Sequence, residues 1–205
     1  MVSVLFLNIK GAFPNTNPSR LVHNLQKRQV PGKYAKFVHN MLSDRATVLK
    51  FDSYISERMP IDNGIGQEDP LSMILYQYYN ADILDVPENK GEKAVMYVDD
   101  AFMLASGRNF QETLQKLKDM ICKTKGVINL SKTHSSPLEY SKLALINFTP
   151  RHHKLDNLPL HLLHKSIEPT KNTKYLGTII NRHLSWKAQQ AYIVKKGAKW
   201  AAQIH

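Results

Sequence analysis

The chain has 205 residues, enough for one domain with a sizeable core, and its 42% hydrophobic content is that of a folded protein rather than a disordered one. Its longest apolar stretches, Val4 to Leu7 and Leu71 to Tyr76, are far too short to cross a bilayer. Lys and Arg number 28 against 17 Asp and Glu, a net charge of +11 that suits a polyanionic partner but also a protein that is merely basic.

Cys122 is the single cysteine, which excludes an internal disulfide and a Cys-rich zinc site. The apolar start lacks the basic head and small-residue cleavage site of a secretory leader. A nuclear or cytoplasmic protein is expected, neither secreted nor membrane-bound. The basic residues are spread along the chain, with groups at Lys27-Arg28, Arg151 to Lys154, and Lys195-Lys196 with Lys199. That distribution suits a folded groove better than a disordered arm.

Ser3 to Ile9 reads as a buried strand. Asn17-Pro18 is a cap-plus-proline helix start, and a second helix covers Lys33 to Leu42. Arg45 to Phe51 reads as a strand, and 62–64 as a turn. Asp69-Pro70 opens another helix, Leu71 to Leu84, apolar nearly all round and so expected to be buried. Ala94 to Ala105 reads as a hairpin with Asp99 and Asp100 at its tip. Asn109 caps a helix to about Lys123, with Phe110, Leu114, Leu117 and Ile121 on one stripe. Strands follow at Leu143 to Phe148 and Lys174 to Ile180, and a helix runs from Ser185 to Gln203. Pro150 to Pro169, rich in His, Lys and Pro, reads as an exposed loop with a short strand or two. The mixture predicts an α+β fold, an antiparallel sheet backed by helices.

Met96 to Leu104 carries the chemistry. Adjacent carboxylates at the tip of an apolar hairpin raise each other's pKa unless a cation neutralises them, and hard oxygen ligands suit Mg²⁺. The competing reading is a hydrophilic turn, since Asp is common there. His152, His153, His161 and His164 do not make a metalloprotease cluster, because no carboxylate accompanies them at the required spacing.

The sequence resembles the reverse transcriptases, most closely those of non-LTR (LINE-type) retroelements, especially fungal ones. Phe6 to Phe13, Asn63 to Ser72, Tyr97 to Asp100, Ile128 to Thr133 and Tyr175 to Gly177 resemble successive palm blocks of that family, in order and at family spacing. The resemblance implies a polymerase palm over 1–184, with a thumb-like helix starting in 185–205. It also implies DNA synthesis on an RNA template from a DNA primer and dNTPs, with Mg²⁺ or Mn²⁺. By resemblance, Asp99 and Asp100 are metal ligands, Phe13 lies under the sugar, Gln67 lines the incoming nucleotide, Lys132 protonates pyrophosphate, and Tyr175, Leu176 and Gly177 grip the primer end. The plainer alternatives are a core Phe13 and a solvated Lys132.

Two positions depart from the family pattern. Asn8 stands where the first block carries Asp, and Glu68 stands where a Gly follows the Gln. An amide lacks the charge that bridges two dications, and Glu68 adds bulk and negative charge beside a triphosphate unless it points outward. The sequence therefore predicts a truncated, catalytically impaired copy lacking fingers at its N-terminal side, or, alternatively, a non-catalytic nucleic-acid-binding remnant.

Overall fold

The computed structural model describes residues 1–149, 157–162 and 165–204. Its core is a four-stranded antiparallel sheet in the order β6-β7-β1-β8. The chain enters through β1 (Val2–Asn8), followed by α1 (Pro18–Lys27) and α2 (Gly32–Leu42). Four two-residue strands come next: β2 (Ala46–Thr47), β3 (Lys50–Phe51), β4 (Tyr54–Ile55) and β5 (Met59–Pro60). Then come α3 (Pro70–Tyr79), a 3₁₀ turn (Ala81–Asp85), β6 (Glu92–Tyr97), β7 (Asp100–Ser106), α4 (Phe110–Cys122) and α5 (Val127–Thr133). A second 3₁₀ turn (Tyr140–Lys142) leads to β8 (Ala144–Phe148), β9 (Leu160–Leu162), β10 (Lys165–Ile167), β11 (Asn172–Tyr175), β12 (Thr178–Asn181) and α6 (Lys187–Ile204). This is the α+β, antiparallel arrangement expected from the sequence. Among the described residues no helix is long and apolar enough to cross a membrane.

β1 is central, and residues 3–7 are buried on both faces. Leu5, Leu7, Met103, Ala105 and Leu145 point to one side, where Leu117, Met120 and Ile121 of α4 cover them. Val4, Phe6 and Ile146 point to the other, against Tyr175 and Ile180 of the β11–β12 hairpin. The alternation follows from the period of two along a strand. A second core joins α1, α2 and α3 through Leu21, Leu25, Ala35, Val38, Leu75 and Tyr76.

The helix starts match the cap signals. Asn17 Oδ1 accepts from Arg20 N at 2.9 Å, Asn109 Oδ1 from Glu112 N at 2.8 Å, and both Asp69 oxygens from the N–H groups of Leu71 and Ser72.

Four expectations change. The strand expected over 45–51 is two fragments: β2 pairs with β5, while β3 pairs with β4 across a turn where Asp52 has φ 49°. Val48, Leu49 and Phe51 are all at least half exposed, so no core face holds one continuous strand. The expected helix over 71–84 stops at Tyr79, where the Asn80 N–H bonds back to the Tyr76 carbonyl. It is not buried all round, since Ile74 is 54% exposed while Leu75, Tyr76 and Tyr79 face the core. The strand expected over 174–180 is a hairpin, turned by Leu176 (φ 46°) and Gly177 (φ 81°). In the loop expected over 150–169, β9 and β10 send Leu160, Leu162 and Ile167 into the main core, while 150–156 and 163–164 lie outside the described residues. His152, His153 and His164 therefore lie outside them too, and His161 is exposed.

Candidate active site

Strand register brings the motif residues together. In the β1–β7 ladder Asn8 lies opposite Asp100, and in the β6–β7 ladder Tyr97 lies opposite Asp100, leaving 98–99 as the turn. Asn8 Nδ2 donates to Asp100 Oδ1 at 3.3 Å and to Asp99 Oδ2 at 3.5 Å. The Ile9 N–H donates to the Asp99 carbonyl at 2.9 Å, tying the tip to the end of β1.

The tip is strained and clamped. Val98 has φ 55°, a left-handed conformation that costs a β-branched residue on the order of 1–3 kcal/mol. Its side chain is only 7% exposed and packs into the helical core with Ala12, Ile65 and Tyr76. Burial of that valine offsets the strain and fixes where Asp99 points.

Lys142 is a neighbour that sequence reasoning missed. Residues 137–139 run antiparallel to the end of β1: Lys10 N donates to the Pro137 carbonyl and Glu139 N to the Asn8 carbonyl, both at 2.8 Å. The 3₁₀ turn then returns Lys142 over Asn8, and its Nζ donates to Asn8 Oδ1 at 3.2 Å. The Ser141 hydroxyl, followed by Lys10 and Lys142, holds the Glu139 carboxyl below the usual carboxylate range. No local signal marks Lys142, which meets Asn8 across 134 residues of chain.

The second block docks on the first. Gly64 N donates to the Thr16 carbonyl at 2.7 Å and Ile65 N to the Phe13 carbonyl at 3.0 Å. Gly64 has φ 88°, and a Cβ there would meet the Pro14 carbonyl oxygen at 3.1 Å, so both conformation and space favour glycine. Phe13 is half-buried, its ring 5.5 Å from that of Tyr76. Gln67 and Glu68 are exposed, and Glu68 has φ 59°. Left-handed backbone is itself a reason for glycine at position 68, alongside the close approach the sequence suggested. Asp69 is committed to capping: the Ser72 hydroxyl, then the Leu71 N–H, hold its carboxyl below the usual range.

Lys132 lies exposed on the last turn of α5, beside Ile128, Ser131 and Leu138. Among the described residues no hydrogen bond or ion pair joins it to Asn8, Asp99 or Asp100. Tyr175 packs its ring 5.4 Å from Phe6 and 5.5 Å from Phe102; burial, then the charge of Asp100, push its phenol pKa up. Leu176 and Gly177 form the exposed turn beyond it.

A buried ionic network, also missed from sequence, supports the far side of the helical core. Asp82 accepts from Lys27 Nζ at 2.7 Å and Arg28 at 3.0 Å. Burial pushes its carboxyl up, but those two hydrogen bonds outweigh it and hold the group below the usual range. His134, fully buried, sits between Arg20, Asn80 and Asp82. Arg20 can only donate, so its 3.0 Å contact makes His134 Nε2 an acceptor and places the ring proton on Nδ1, facing Asn80 Oδ1. Burial and then Arg20 push the imidazole pKa down to about 4. The 3.4 Å approach to Asp82 is therefore not an ion pair at neutral pH.

Asp99 and Asp100 are both partly exposed, and among the described residues no group of three or more His, Cys, Asp or Glu side chains converges as a metal site. What the end of β1, the hairpin tip and the second 3₁₀ turn assemble is two carboxylates, one amide and one ammonium.

The family described as reverse transcriptase (RNA-dependent DNA polymerase) matches residues 2–180. No curated protein matches. Among solved structures, apo telomerase from Candida tropicalis truncated from its C-terminal domain superposes with a TM-score of 0.58 at 16% identity, covering 88% of this chain and 34% of that one. Telomerase from the same organism, in complex with a TWJ fragment of telomeric RNA, gives a TM-score of 0.59 at 14% identity, covering 91% and 30%. At such identities the likeness establishes the fold alone, and the chain spans about a third of the length of those telomerase chains.

Proposed function

The chain belongs to the reverse transcriptase (RNA-dependent DNA polymerase) family, and from that premise we propose that it is the palm of a polymerase from a non-LTR, fungal-like retroelement, impaired in nucleotide addition. The observation that carries the reading is the convergence of Asn8, Asp99 and Asp100 at the ends of paired strands, with an amide in the position of the third acidic ligand.

Asp99 and Asp100 fit one divalent cation, because Mg²⁺ takes one or two carboxylates and completes its shell with water and phosphate oxygens. Bound there, the cation would neutralise triphosphate charge and activate a primer hydroxyl. The residues do not fit a bridged pair of cations, since the Asn8 amide supplies no bridging charge. Phe13 walls the sugar, Gln67 borders the nucleotide, Lys132 serves the leaving pyrophosphate, and 175–177 hold the primer end. The partners are an RNA template, a DNA primer and dNTPs, consistent with the +11 net charge. In this reading the palm spans 1–184, and α6 (Lys187–Ile204) is the start of a thumb-like helix.

The test is primer extension on an RNA template with Mg²⁺ or Mn²⁺. The native chain is expected to extend poorly, roughly a thousandfold or more below Asn8→Asp combined with Glu68→Gly, which corresponds to about 4 kcal/mol of transition-state stabilisation. Efficient extension by the native chain, abolished by Asp99→Ala, would overturn the claim of impairment.

The exposed Lys187, Lys195, Lys196 and Lys199 on α6 favour a second reading, a nucleic-acid-binding remnant without catalysis. Binding to an RNA–DNA hybrid that weakens steeply with salt, in a chain without extension activity, would support it.

A further inference from the structure

We propose that Lys142 is a positioning residue that locks the Asn8 carboxamide in the orientation least suited to a cation. The inference rests on the reading of Asp99 and Asp100 as cation ligands.

A lysine ammonium only donates hydrogen bonds and an ionised carboxylate only accepts them. The atom of Asn8 that faces Lys142 must therefore be its oxygen, and the atom that faces the two acids must be its NH₂. The contacts obey this: Lys142 Nζ to Oδ1 at 3.2 Å, and Nδ2 to Asp99 and Asp100 at 3.5 and 3.3 Å. The amide hydrogens thus lie against the carboxylate oxygens that would coordinate a cation. To offer Oδ1 to that cation the amide must turn over, which breaks all three bonds and sets NH₂ against the ammonium.

Lys142 is held in place by backbone rather than by its own burial. Residues 137–139 pair with the end of β1, and the 3₁₀ turn closes through Lys142 N on the Glu139 carbonyl at 3.0 Å. The side chain itself is exposed, so replacing it leaves the core untouched. Among the described residues Lys10, Glu139 and Lys165, whose Nζ donates to the Tyr140 carbonyl at 2.6 Å, also carry charge near this edge, and none of the three is hydrogen-bonded to the Asn8 side chain.

Mn²⁺ titration of the full chain, followed by the electron paramagnetic resonance of the free ion, reads the lock without any turnover. Lys142→Met should tighten Mn²⁺ binding by about three- to tenfold, the loss expected for one partly exposed, charge-assisted hydrogen bond. Lys142→Arg, still a pure donor, should stay near native. Lys10→Met removes an equal charge from the same edge and should change affinity by less than about twofold, separating amide orientation from the general field. Unchanged affinity in Lys142→Met, or equal tightening in Lys10→Met, overturns the proposal. If Asp99→Asn leaves Mn²⁺ binding as it was, or no variant binds Mn²⁺, the acids are not ligands and both readings fall. Binding that depends on Asp99 but ignores Lys142 sinks this inference alone.

Discussion

Replacing Asn8 with Asp is expected to make the stability of the fold depend on a divalent cation. In the native chain the amide donates to Asp100 at 3.3 Å and Asp99 at 3.5 Å, and accepts from Lys142 at 3.2 Å. The substitution turns two attractive contacts into like-charge contacts and strengthens one. At such separations a unit pair is worth about 1 kcal/mol in a water-like medium and about 5 kcal/mol at an effective dielectric near 20. One uncompensated repulsion remains, and because all the groups are partly exposed the lower part of that range applies, about 1–3 kcal/mol of destabilisation at neutral pH. A cation at the three carboxylates should reverse the loss, by about 2.7 kcal/mol once its concentration reaches roughly a hundred times its dissociation constant. Urea denaturation of both proteins, in EDTA and in millimolar MgCl₂ at matched ionic strength, measures this directly. A variant as stable as the native chain in EDTA, and indifferent to Mg²⁺, would show that position 8 and the hairpin tip do not share an electrostatic site.

Glu68→Gly should stabilise the chain by about 0.5–1 kcal/mol, the relief of a left-handed residue less the entropy glycine returns to the unfolded state; a lower urea midpoint would contradict φ 59°. His134 should make stability fall on mild acidification. Its folded pKa is depressed to about 4 from 6.5, so the unfolded chain binds the extra proton first, and stability present above 6.5 is lost as pH falls towards 4. The ceiling is about 3 kcal/mol and local relaxation should bring it nearer 2, read as a pH-dependent urea midpoint that flattens over this window in His134→Gln. Asp82→Ala should cost about 3 kcal/mol, because Arg20, Lys27 and Arg28 lose their shared carboxylate; a cost below about 1 kcal/mol would mean that solvent already screens the network.

Much of the frame was legible because its signals are local. Asn17-Pro18, Asp69-Pro70 and Asn109 announced their helices through cap chemistry acting within three residues. The continuous apolar run of β1 and the paired runs around Asp99-Asp100 announced strands that share a register. What stayed hidden depends on distant chain. The break in the expected helix at Asn80 belongs with a His134 contact 54 residues away, and the splitting of the expected strand over 45–51 goes with the exposure of Val48, Leu49 and Phe51 among the described residues. Lys142 looks like any exposed lysine until the 3₁₀ turn folds it over Asn8. The strain at Val98 was equally silent, because valine in a strand-like run gives no hint of a left-handed turn.

Stability and cation chemistry pull position 8 in opposite directions. Without a cation, an amide between two carboxylates and an ammonium satisfies every neighbour with donors and acceptors of the right sense, whereas a third carboxylate adds repulsion. Asparagine is thus the more stable residue in the ion-free fold, and aspartate the better one only when a cation is bound, a common relation between binding sites and their scaffolds. Glu68 runs the other way. Its backbone strain is relieved by glycine, so no gain in stability accounts for its presence. The two departures therefore have different physical signs, and the Asn8→Asp and Glu68→Gly proteins measured singly should separate them: the first less stable without cation, the second more stable with or without it.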